Sequence, residues 1–172
     1  MGCGKSSIGR LMCEMTGSRF LDLDDWIEDR QGRKIKDIFA SDGEAAFRAM
    51  EVQALKEILA GGGHKDTVLS LGGGTLTSPE AVSLVRENTL CIYLRAGIGT
   101  LVDNLFTYPG ERPMLGDSQS DREALQHRIE ALMSKRRAVY ENTAHCIVDI
   151  DGKEYVDIVN ELKRLVESGK LS

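Results

Sequence analysis

Gly2-Cys3-Gly4-Lys5-Ser6-Ser7 stands directly in front of an amphipathic helical stretch, in which Ile8, Leu11, Met12 and Met15 recur at 3.6-residue spacing. Few sequence features restrict a fold more. Gly4-Lys5-Ser6 is the end of the pattern G-x-x-x-x-G-K-[ST], a glycine-rich loop between a strand and a helix that cradles phosphates. The glycines let backbone N–H groups turn inward, and the helix N-terminus adds a positive dipole end. Lys5 supplies a point charge for the β- and γ-phosphates, and the Ser6 hydroxyl a ligand for Mg²⁺. The pattern's first glycine falls one position ahead of Met1. The sequence is therefore expected to begin too late, lacking the strand that leads into the loop, about ten residues.

Downstream, apolar runs alternate with helical patterns. Phe20–Asp24, Thr67–Leu71, Thr89–Leu94 and Cys146–Asp149 read as strands. Between and after them, helices are expected over Lys5–Met15, Asp25–Arg30, Ile35–Ala40, Glu44–Leu59, Pro79–Glu87, Gly99–Phe106, Arg122–Glu141 and Tyr155–Val166. The strands are continuous apolar runs rather than alternating ones, as in a parallel sheet covered on both faces. The fold class is thus α/β. At 172 residues the chain is expected to form one domain, with no internal repeat. Tyr108–Ser120, rich in Gly, Pro, Asp and Ser, is the one long irregular segment and reads as a lid.

Composition narrows the partners. A net charge of −5 gives no electrostatic footprint for nucleic acid, and no apolar run approaches a membrane span. Cys3, Cys13, Cys91 and Cys146 show no C-x-x-C spacing and read as reduced thiols of a cytoplasmic protein. His64, His127 and His145 form no ligand pattern.

Ligands of open parallel sheets bind beyond the carboxyl ends of the strands. Asp22 and Asp24 lie there, two apart on a segment read as extended, so that both face one side: one for Mg²⁺, one for a substrate hydroxyl, or both as strand-end caps. Gly72-Gly73-Gly74, straight after a buried strand, points to backbone approaching a ligand. Arg48 and Glu51 are spaced to pair on one helix, either as a surface pair or with Glu51 holding Arg48 for a carboxylate. Arg112-Pro113 sits in the lid segment, where an arginine can close over a phosphoryl group. Lys135-Arg136-Arg137 reads as a solvated face from which one member can turn inward.

Together these segments resemble the shikimate kinases, small P-loop kinases of aromatic amino-acid biosynthesis. The matching stretches are Gly2–Ser6, Leu21–Asp24, Ile38–Glu44 through Phe47-Arg48 and Glu51, Leu71–Gly74, Arg112–Leu115, and Arg136 four residues before Tyr140. The resemblance implies a five-stranded parallel sheet in the order 2-3-1-4-5, its first strand being the one ahead of this chain. It implies ATP and shikimate as substrates, Mg²⁺ as cofactor, no nucleic-acid or membrane partner, and a monomer. The acceptor-binding part falls at about 24–60 and the lid at about 108–120.

It also implies roles. Lys5, Asp24 and Arg112 are the catalytic set. Gly2, Cys3, Gly4, Lys5, Ser6, Ser7 and Arg112 hold the nucleotide, and Ser6 and Asp22 the metal. Asp24, Arg48, Gly72, Gly73, Gly74 and Arg136 bind shikimate. Many relatives carry a further nucleotide-contacting arginine where this chain has Asn104-Leu105-Phe106. Relatives also contact adenine near the position of Asp149–Gly152. Two other functions share part of the pattern: a different small-metabolite kinase, acting on gluconate or a nucleoside monophosphate, and a non-catalytic nucleotide-binding protein. Retention of Lys5, Ser6, Asp24 and Arg112 together argues against the latter.

Overall fold

Gly17, Gly32 and Gly152, all in the left-handed region, mark turns of the chain. The first two close the helices α1 (Lys5–Thr16) and α2 (Leu23–Gln31), where each Gly N–H donates to a carbonyl of the last turn. The computed structural model describes residues 2–61, 66–108, 115 and 121–168. The remaining elements, in chain order, are β1 (Arg19–Asp22), α3 (Ile35–Ser41), α4 (Gly43–Ala60), β2 (Thr67–Ser70), a 3₁₀ turn (Thr75–Thr77), α5 (Pro79–Asn88), β3 (Ile92–Arg95), α6 (Ile98–Thr107), α7 (Arg122–Thr143), β4 (Cys146–Asp149) and α8 (Tyr155–Glu167). Starts are signalled locally: Ser78 caps α5 with Pro79 in its first turn, and Asp121 caps α7.

All four strands among the described residues pair in parallel, as continuous apolar runs suggest. β1 pairs with β2 from Arg19↔Thr67 to Asp22↔Ser70, and β3 with β4 from Ile92↔Cys146 to Arg95↔Asp149. Among the described residues no ladder joins β2 to β3. The expected order 2-3-1-4-5 is thus not seen whole among the described residues, whose strands form the two ladders β1–β2 and β3–β4. Helix α1 touches both halves. Gly9 lies so close to Phe20 and Val68 that a Cβ there would come within 2.7 Å of the Phe20 ring. Ile8, one residue earlier, is buried with Leu101, Leu105, Ile129, Val148 and Ile158 in a core on the β3–β4 side. A second core holds Leu23, Ile38, Phe47, Leu55 and Val85 among α2–α5, and Tyr140 of α7 packs against both.

Three expectations need correction. The first strand ends at Asp22, and Leu23 and Asp24 already belong to α2. Asp22 accepts the Asp24 N–H at 3.0 Å and so caps the helix, an arrangement that local hydrogen bonding favours over two more extended residues. Met15, placed in the apolar stripe of α1, is exposed, because the helix ends before anything packs on that turn. The third apolar strand starts at Ile92 rather than Thr89: Thr89 ends α5, and its hydroxyl donates to the Val85 carbonyl. Arg112 lies outside the described residues, as do His64 and most of the expected lid. All four cysteines carry free thiols. No helix among the described residues is long and apolar enough to cross a membrane.

Candidate active site

The phosphate loop is built from backbone. Gly2 and Gly4 adopt φ of 71° and 73°, a region side chains disfavour. Each is also tightly covered: a Cβ on Gly2 would lie 2.8 Å from Leu105, and one on Gly4 2.6 Å from the Tyr155 hydroxyl. Asn104 Nδ2 donates to the Gly2 carbonyl at 2.7 Å, tying α6 to the loop. Asn104 and Leu105 thus support the loop backbone from the stretch where an arginine was absent. At the head of α1 no side chain of the described residues caps the first turn, and a helix start of this kind can take an anion.

Ser6 Oγ donates to Asp22 Oδ2 at 2.8 Å and lies 3.3 Å from Ser70 Oγ. A hydroxyl and a carboxylate at the strand ends suit Mg²⁺, which keeps several waters and shares its remaining ligands with substrate phosphates. No group of three or more His, Cys, Asp or Glu side chains that would form an all-protein metal cage occurs among the described residues.

Asp22 leads to a second cluster. Its other oxygen holds the N–H of Asp24, whose carboxylate turns inward. Asp24 Oδ1 is buried with no hydrogen-bond partner among the described residues. Burial, with Asp22 and Glu51 as negative neighbours, raises the Asp24 carboxyl to about 6, although Lys5 and Arg48 pull the other way. The lysine of the phosphate loop therefore acts electrostatically on this cluster.

Arg48 and Glu51 are not a surface pair. Glu51 is 1% exposed, and its Oε2 accepts from Arg48 Nη1 at 2.6 Å. Glu44 adds a second carboxylate at 3.0 Å from Arg48 Nη2. Burial opposes the Arg48 charge, but Glu51 and Glu44 more than offset it and hold the guanidinium above its ordinary value.

The triple glycine gives this cluster its room. A Cβ on Gly74 would land on the Arg48 guanidinium. One on Gly72 would come within 2.9 Å of Glu51 Oε1, 3.0 Å of Asp24 Oδ1 and 3.1 Å of Thr75 Oγ1. From the other side, the Tyr140 hydroxyl donates to the Gly73 carbonyl. Arg136, one turn earlier on α7, is 5% exposed and near enough to act on the Tyr140 phenol, while Lys135 and Arg137 face outward. Of the basic run, Arg136 is the member turned inward.

Asp24, Arg48 and Gly72–Gly74 thus converge, Arg136 joins them through Tyr140, and Asp22 and Ser6 connect them to the phosphate loop. Asp149 takes the Arg95 guanidinium through both oxygens, at 2.5 and 2.8 Å, and Asp151 accepts the Gly97 N–H. Sequence reasoning missed Ser70, Thr75 and Asn104. Thr75 followed the glycines directly, which was its only signal.

A phosphate loop beside a buried carboxylate and two inward arginines, at the strand ends of a parallel α/β fold, defines a P-loop kinase for a small anionic acceptor. Comparison with known proteins agrees. A family model for shikimate kinase matches residues 1–167. The shikimate kinase of Chlorobium chlorochromatii is 39% identical over 169 residues, covering 96% of this chain and 86% of that protein. That of Thermus thermophilus is also 39% identical, covering 94% and 83%. Among solved structures, shikimate kinase from Acinetobacter baumannii in complex with shikimate superposes with a TM-score of 0.87 at 28% identity, covering 100% of this chain and 91% of that one. The chain belongs to the shikimate kinase family.

Proposed function

We propose that this protein transfers the γ-phosphoryl group of ATP to the 3-hydroxyl of shikimate, giving shikimate 3-phosphate and ADP. The observation that carries this reading is the orphaned Asp24 Oδ1, buried beside Gly72 in a carboxyl group held near pH 6 and flanked by Arg48. Such a group accepts a hydrogen bond from an acceptor hydroxyl and takes its proton as the oxygen attacks. Family membership and the relative solved with shikimate support the choice of acceptor.

Each residue then has a task. The backbone of Gly2, Cys3, Gly4, Lys5, Ser6 and Ser7 wraps the nucleotide phosphates, and the Lys5 ammonium offsets charge on the transferring group. Mg²⁺ would be held by the Ser6 hydroxyl, with Asp22 orienting that hydroxyl and the metal's waters; bound there, it neutralises phosphate charge. Arg48 and Arg136 take the shikimate carboxylate through planar guanidinium forks, and the Gly72–Gly74 backbone lets the ring approach. Asp24 binds the hydroxyls. Arg112, on the segment assigned as lid, closes on the phosphates. Little covalent chemistry is asked of the protein, and catalysis is mostly positioning and charge. We assign the chain to one kinase domain spanning 1–172, acting in the cytoplasm as a monomer, with no nucleic-acid or membrane partner.

The test is turnover with ATP, Mg²⁺ and a panel of acceptors including shikimate, gluconate and nucleoside monophosphates. Formation of shikimate 3-phosphate, located by phosphorus–proton NMR, is expected. Efficient turnover of another acceptor with no shikimate phosphate would overturn the reading.

A further inference from the structure

Thr75 has no exposed surface, opens the 3₁₀ turn directly after the three glycines, and has no part in the chemistry above. Its hydroxyl donates to Glu51 Oε1 at 2.5 Å, across 24 residues of chain. We propose that Thr75 is a positioning residue of the acceptor site, fixing the Glu51 carboxylate and, through it, the Arg48 guanidinium. This rests on the reading of Arg48 as the group that takes the shikimate carboxylate.

The two oxygens of Glu51 are divided between two partners. Oε2 holds Arg48, and Oε1 holds Thr75. With one oxygen engaged, a glutamate still swings about its three rotatable bonds. With both engaged from different directions, the carboxylate plane is set, and so is the fork geometry offered to Arg48. Threonine suits this because its branched Cβ restricts χ1. The Thr75 N–H also donates to the Gly72 carbonyl at 3.3 Å, so the hydroxyl is carried by the same turn that shapes the glycine loop.

The other restraint on Arg48 is weaker. Glu44 is half exposed, where solvent screens its attraction. The Phe39 and Phe47 rings lie 5.9 and 5.4 Å from the guanidinium carbon and limit its travel without setting its rotation. Near Gly72, Glu51 Oε1 and Asp24 Oδ1 approach one point from two sides. By satisfying the Glu51 oxygen, Thr75 leaves the Asp24 oxygen as the open acceptor there. The two carboxylates beside Gly72 thus differ: Glu51 Oε1 is engaged and Asp24 Oδ1 is open.

The test compares the parent protein with Thr75→Val, which keeps the shape and removes the hydroxyl, Thr75→Ser, which restores it, Arg48→Lys, and the Thr75→Val/Arg48→Lys double variant. Thermal melts establish that each folds. If the valine variant does not, Thr75→Ala is measured in the same way. The shikimate KM should rise about tenfold in Thr75→Val, as expected for losing a hydrogen bond to a charged group, with the ATP KM within about twofold of the parent. Thr75→Ser should return the shikimate KM to within about twofold of the parent, and the double variant should be little worse than Arg48→Lys alone. A general packing defect would raise both Michaelis constants and would not be rescued by serine.

The proposal is overturned if Arg48→Lys raises the shikimate KM but Thr75→Val does not. It is overturned equally if the effects of the two substitutions multiply in the double variant. An unchanged shikimate KM in Arg48→Lys would instead remove Arg48 from the acceptor site, and the proposal with it.

Discussion

The phosphate loop and the proposed acceptor cluster adjoin through Ser6 and Asp22, yet they are made in opposite ways. The loop is one contiguous stretch, Gly2–Ser7, and works through main-chain N–H groups and one lysine. The acceptor cluster draws on α2, α4, the turn after β2 and α7, and works through buried side chains. Backbone recognition suits phosphates, whose oxygens are alike and which many folds bind in the same way. A single carboxylated acceptor needs charged groups at fixed angles, and those come from several elements held by packing. On the proposed reading the loop carries the reaction class and the cluster carries the substrate. Asp24 stands between them, feeling both Lys5 and Glu51.

The sharpest challenge to this division is Lys5→Ala. It should lower kcat by ~10²-fold or more, the scale for losing a transition-state charge contact, and leave shikimate affinity by calorimetry nearly unchanged. Arg112→Ala should behave likewise. An unaltered kcat and nucleotide KM in that variant would remove Arg112 from the phosphate side.

Next comes Asp24→Asn, expected to lower kcat by about 10²-fold while shifting the shikimate KM less, since it removes a proton acceptor and keeps the shape. The pH dependence follows from the carboxyl held at about 6. Only its ionised form accepts a proton, so kcat/KM should fall below about pH 6, roughly tenfold per unit, and the variant should lose that limb. Stability runs the other way. The folded carboxyl binds its proton more tightly than an ordinary aspartate, so this group withdraws stability from the fold as pH rises from about 4 through about 6. Thermal melts should therefore show Asp24→Asn gaining on the parent between about pH 4 and 6, with the gap level above about pH 7. A gap that shrinks over that interval would contradict the buried-charge account.

Arg48→Lys should raise the shikimate KM about tenfold and leave the ATP KM alone, because an ammonium cannot reproduce two parallel hydrogen bonds. Equal effects on both substrates would break the separation of the two regions. Asn104→Ala is expected to have the smallest effect. Removing one neutral hydrogen bond to the Gly2 carbonyl should raise the ATP KM about fivefold without altering shikimate binding.

What was legible in the sequence tracks this contrast. Gly4-Lys5-Ser6 ahead of a 3.6-residue apolar pattern, the continuous apolar strands, the Ser78-Pro79 helix start and the triple glycine are local signals, each readable within a few residues. They determined the α/β fold, its parallel strands and the phosphate site, and with the spaced arginines they pointed to the family. Burial and direction were settled only by tertiary structure. Lys135, Arg136 and Arg137 are chemically similar neighbours, and the packing of α7 selects Arg136 for the interior. Asp22 and Asp24 read equally well as an extended pair, until the cap formed by Asp22 turns Asp24 into a helix beside Glu51. Thr75 and Glu51 are 24 residues apart and carry no shared pattern. Their hydrogen bond exists because two elements dock, and a one-dimensional pattern records only the spacing of residues along the chain, not which faces are pressed together.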